Sequence, residues 1–60
     1  MKVKASLMQG RTTVDSYSFD VEKADDFRRG ASKAYSQFRR LHPEVRMFNP
    51  GVIVEFGRGD

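Results

Sequence analysis

Sixty residues with no cysteine and a single histidine, His42, exclude a disulfide scaffold and leave too few ligands for a structural zinc. The formal net charge of +3 is below that of a dedicated nucleic-acid arm. No segment approaches the roughly 20 apolar residues of a membrane span.

The chain begins MKVKASLMQG, which lacks the apolar run of a signal peptide. A complete short reading frame and a cytoplasmic protein are the resulting expectations, with no membrane contact and no cofactor or metal. A chain of this length buries only about 60% of its unfolded surface. A compact core, aided by a partner subunit, is therefore expected.

Lys2 to Met8 alternates, with Val3, Ala5 and Leu7 on one face and Lys2, Lys4 and Ser6 on the other. Thr13 to Val21 alternates as well, setting Tyr17, Phe19 and Val21 against Ser16, Ser18 and Asp20. Both segments read as half-buried strands joined at Gln9-Gly10-Arg11-Thr12. A two-residue turn, continued in register, would set Val3 against Ser18 and mix the two faces. A shift of one restores Val3 beside Phe19 and Ala5 beside Tyr17. The pattern therefore predicts a three-residue loop or a bulge rather than a tight two-residue turn.

Ala24 to Leu41 is the clearest element. Ala24, Phe27, Ala31, Ala34, Tyr35, Phe38 and Leu41 form the apolar stripe of an amphipathic helix. Its start falls near Glu22 to Ala24, with Asp20 as a candidate cap, and Pro43 ends it. Asp25 and Asp26 in the first turn and Arg39 and Arg40 in the last complement the helix dipole, each by about 0.3–1 kcal/mol. Asp25 and Arg29 are spaced as an i, i+4 pair. Gly30 interrupts the helix at a cost of about 1 kcal/mol relative to alanine. The spacing of Gly30, Ala31 and Ala34 permits a close approach, either to a second helix or to the chain's own sheet.

Two short strands are predicted after the helix, Val45 to Phe48 and Val52 to Phe56, separated by Asn49-Pro50-Gly51. Proline followed by glycine favours a type II turn. Residues 57–60 read as a frayed tail. The element order predicts one α+β domain over residues 1–60. It is a two-layer β-β-α-β-β arrangement with one helix on one face of a small antiparallel sheet. The other face, carrying Lys2, Lys4, Ser6, Ser16 and Ser18, should be wet.

No catalytic set is evident. Asp25 and Asp26 diverge by about 100° on a helix and cannot work as a pair. His42 has no nucleophile near it in sequence, and the glycines form no phosphate loop. The terminal Arg58-Gly59-Asp60 resembles an integrin-binding tripeptide, but three-residue matches are frequent by chance and nothing else in the sequence points to an extracellular protein, so it carries no functional reading. An enzyme is not expected.

Two surfaces remain. Arg29, Lys33 and Arg40 form a basic stripe on the helix, suited to an acidic protein surface or to phosphates. Part of that charge serves the helix itself. Arg46, Phe48 and Ile53 would share the side of the late strands facing away from the helix, which is the composition of a protein-binding hot spot. If the chain bends at Pro50, Phe48 instead returns to the core. The expectation is a small non-enzymatic module that docks on a larger protein with an acidic surface and blocks or redirects it. Its compactness resembles, in size and style alone, the accessory proteins with which bacteriophages inhibit host machinery. Nucleic-acid binding through the helix cations is the alternative. A homodimer through the helix or through an open strand edge is a third option.

Overall fold

A computed structural model describes residues 1–59. Three strands and one helix follow in the order β1 (Lys2–Gln9), β2 (Thr12–Asp20), α1 (Ala24–Leu41) and β3 (Val52–Arg58). The sheet is antiparallel with β1 in the centre, flanked by β2 and β3. The helix covers one face, so the expected two-layer α+β architecture is what the chain adopts.

The β1–β2 register sets Val3 against Phe19 and Ala5 against Tyr17. The register shifts between Leu7 and Met8, leaving Val14 without an opposite residue. The bulge makes the correction that the side-chain pattern demands. The turn, contrary to expectation, is nonetheless a tight one at Gly10-Arg11. Gly10 has φ +63° and Arg11 does not have a positive φ, the sign pattern of a type II′ hairpin turn. Turn and bulge coexist because the slip occurs in β2 beyond the turn.

The fourth strand is absent. Val45 to Phe48 lies within the first two of three successive turns closed by local bonds. The N–H of Val45 donates to His42 O at 3.0 Å, that of Asn49 to Arg46 O at 3.1 Å, and that of Val52 to Asn49 O at 3.1 Å. β1 already has a strand on each side, so this segment has no central edge to join. The last turn has Pro50 and Gly51 at its centre, with Gly51 at φ +89°, which is the expected type II geometry. Residues 57–59 are not frayed. Gly57 and Arg58 complete β3, and the N–H of Gly59 donates to Lys2 O at 2.9 Å. Asp60, and with it the terminal tripeptide as a unit, lies outside the described residues.

Val3, Ala5 and Leu7 of β1 point to the helix and are buried, together with Ala34, Phe38 and Val45. Along the helix the buried line is Gly30, Ala34 and Phe38. This line is rotated from the expected stripe, leaving Ala24, Phe27, Tyr35 and Leu41 exposed. The smallest residues face the sheet. A Cβ on Gly30 would overlap the ring of Phe19, so the close approach is to the chain's own sheet and not to a second helix. The helix lies over β2 and β1 and reaches β3 through rings. Phe27 and Phe56 have centroids 5.1 Å apart, and Tyr35 and Phe56 are 6.4 Å apart. Phe19 to Phe27 at 6.0 Å and Tyr17 to Phe19 at 6.2 Å extend this arc across the sheet. All four separations fall in the favourable range for aromatic pairs.

The helix start is capped from within. Asp26 accepts hydrogen bonds from the N–H groups of Glu22 at 2.9 Å and Lys23 at 3.0 Å. Asp20, one candidate for the cap, instead ends β2 opposite Lys2. At the other end the N–H of His42 donates to Phe38 O at 2.8 Å. The outer face of the sheet is open and carries Lys2, Lys4, Ser6, Ser16 and Ser18, as the alternation requires. No helix among the described residues is long and apolar enough to cross a membrane.

Candidate functional site

The loop between α1 and β3 builds the most distinctive surface. Val45 anchors it in the core and Met47 packs against that core. The alternation carries Arg46 and Phe48 outward. Phe48 is 98% exposed and Ile53, one residue into β3, is 54% exposed. Between them the chain leaves an open groove of about 580 Å³, lined by Tyr35, Arg39, Met47, Phe48, Val52, Ile53 and Val54. A second depression of about 490 Å³ shares Arg39, Met47 and Phe48 and adds Pro43, Val45, Arg46 and Asn49. Phe48 therefore stands at the junction of two apolar depressions, with Arg39 lining both and Arg46 the second. The alternative in which Phe48 folds back into the core does not occur.

Of the expected site residues, Phe48 shares one depression with Ile53 and the other with Arg46. Arg39 and Tyr35 join them and were missed. Arg39 has an evident role in the helix dipole, which hides its place four residues after Tyr35 on the flank that faces β3.

Arg29, Lys33 and Arg40 lie on the opposite flank, beside β2. Lys33 and Arg40 border a shallow depression with Tyr17, and Arg29 and Lys33 border another with Phe19 and Asp26. Arg29 is committed to Asp26, at 2.9 Å. The same geometry pairs Arg28 with Asp25 at 3.4 Å, so the expected Asp25–Arg29 pair is replaced by two i, i+3 pairs. Two backbone N–H groups and then Arg29 hold the Asp26 carboxyl below the ordinary carboxylate range. Lys33 and Arg40 have no ion-pair partner among the described residues. The cations thus divide between two flanks and do not form one field.

His42 joins the helix end to the bulge of β2. Its Nε2 lies 2.9 Å from Asp15 Oδ2, and its Nδ1 lies 3.6 Å from Glu44 Oε2. Both ring nitrogens face carboxylates, which suits a clamp and leaves neither aimed at a pocket. Among the described residues no group of three or more acidic, histidine or cysteine side chains is arranged to hold a metal ion. No protein-family model matches the chain, and neither a curated protein nor a solved structure does.

Proposed function

We propose that this chain is a small protein-binding module that docks on a larger protein through Phe48 and the groove beside it. The observation that carries this reading is the exposure of Phe48, at 98%, between Arg39 and Arg46. Burying a phenylalanine side chain is worth about 1.5–3 kcal/mol, and Phe48 contributes none of this to folding. An aromatic anchor beside two arginines and an apolar groove has the composition of an interface centre. Arg39 and Arg46 favour a partner with carboxylates around an apolar patch. Docking of this kind modulates the partner by occupying its surface.

The test is capture of protein partners from nuclease-treated lysate by the wild type, by Phe48→Asp and by Arg39→Glu with Arg46→Glu. The reading expects a partner that the wild type retains and both variants lose. Equal capture by all three would remove the site. Nucleic-acid binding by the opposite flank is the second reading, favoured by the unpaired state of Lys33 and Arg40 among the described residues. It expects Lys33→Glu with Arg40→Glu to abolish a strongly salt-dependent association that nuclease destroys.

A further inference from the structure

The two free edges of the sheet differ in how they are protected. In the β1–β3 ladder, Gly59 N–H donates to Lys2 O at 2.9 Å and Gly10 N–H to Gly51 O at 2.8 Å. By the alternation of antiparallel pairs, the even-numbered residues of β1 bond the odd-numbered residues of β3. The N–H and C=O groups of Val54 and Phe56 therefore point to the free side. So does the C=O of Val52, whose N–H is taken by Asn49.

On the other edge, Met1 and Val21 exchange bonds of 3.0 and 2.7 Å. This directs the backbone groups of Ser16, Ser18 and Asp20 outward. That edge is guarded. The N–H of Ser16 is closed by Asp15 Oδ1 at 2.7 Å, Asp20 adds a charge, and the bulge at Val14 breaks the ladder nearby. From Val52 to Phe56, β3 has no proline, no lysine and no bulge, and its one charge is Glu55. An edge of this kind is a template for another strand.

We propose that the β3 edge is a self-association site, at which two copies pair antiparallel about a two-fold axis through Val54. The strand's own pattern selects this partner and register. Pairing centred on Val54 sets Val52 against Phe56 of the second copy and Val54 against Val54, so the helix-side face matches apolar to apolar, while on the open face Ile53 stands against Glu55 and the two carboxylates are kept apart. Pairing centred on Glu55 would set two carboxylates face to face, which is destabilising. The helix lies over β1 and β2, so Val52, Val54 and Phe56 are only partly covered and would extend the apolar layer of the copy. The two three-stranded sheets become one continuous sheet with only the guarded β2 edges free.

The chain has no cysteine, so single cysteines report the register directly. In the Val54-centred pair the two Cα atoms at position 54 are about 5.5 Å apart, within disulfide range. The expected results are a dimer by sedimentation equilibrium and concentration-dependent protection of the Val54 and Phe56 amides from exchange. Val54→Cys should also oxidise to a covalent dimer about tenfold faster than Glu55→Cys. The exchange measurement uses the unaltered chain and does not depend on either variant folding. A monomer persisting at about 1 mM, where even a weak specific dimer would be half formed, would overturn the proposal. So would a dimer in which these two amides stay unprotected, or one that Glu55→Cys links as fast as Val54→Cys.

Discussion

Phe19 occupies the space that a side chain on residue 30 would need. The ring stands against the Gly30 backbone where a Cβ would overlap it, and this contact sets how low the helix sits on β2. Gly30→Ala would gain about 1 kcal/mol of helix propensity. It would lose about 1–3 kcal/mol as the ring or the helix is forced away. The net expectation is a less stable protein, read as a lower urea midpoint. Gly30→Ala with Phe19→Leu should recover much of the loss, since the smaller side chain frees the site.

The contact between His42 and Asp15 links the end of the helix to the bulge of β2, across 27 positions in sequence. Removal of either side chain should destabilise the fold by about 0.5–1.5 kcal/mol. The double variant Asp15→Ala, His42→Ala should cost less than the sum of the single variants, because both remove one shared interaction. Urea unfolding of the four proteins measures that coupling. Strict additivity would show that the pair does not hold the helix end.

Acid should act partly through Asp26. The N–H groups of Glu22 and Lys23, and then Arg29, depress its carboxyl in the folded chain. A group whose folded value lies below its unfolded value stabilises the fold fully above about pH 4, and that stabilisation is lost as pH falls through the lowered value. Asp26→Asn keeps an acceptor for the backbone and removes the charge. It should be less stable than the wild type at pH 7, and the difference should shrink as both are taken into acid. Thermal midpoints measured across that range test the sign.

Much of the fold was legible because the patterns that encode it are local. The alternation in β1 and β2 required the register, since any other pairing mixes Val3 and Ala5 with serines, and left a three-residue loop or a bulge as the means of reaching it. The tight turn escaped because a slip beyond the turn restores the faces as well as a longer loop does. The helix boundaries were visible, but its rotation was not. Periodicity places Tyr35 and Ala31 as near the core as Gly30, and only the docking of Phe19 distinguishes them. Val45 to Phe48 has the residues of a strand, but strand pairing is a tertiary property and β1 has no edge left. Ile53 was identifiable as a candidate outward position from its place in the alternation, whereas for Phe48 the alternation allowed an outward position and the bend at Pro50 an inward one, and only the fold decides for the outward one. Arg39 was not, because its placement at the helix end already has an electrostatic reason.

Phe48 separates function from stability, since its side chain is almost wholly in solvent. Phe48→Ala should change unfolding stability by no more than about 0.5 kcal/mol. The most direct test of docking places the photoreactive amino acid p-benzoylphenylalanine at position 48. Position 25, at the far end of the helix, serves as control, with irradiation in nuclease-treated lysate. The prediction is a discrete covalent adduct at position 48 with a protein other than a second copy of the chain, absent at position 25 and lost when Arg39 and Arg46 are replaced by glutamate. The absence of any such adduct at position 48, with a nuclease-sensitive adduct forming in untreated lysate from a probe beside Lys33 and Arg40, would contradict it.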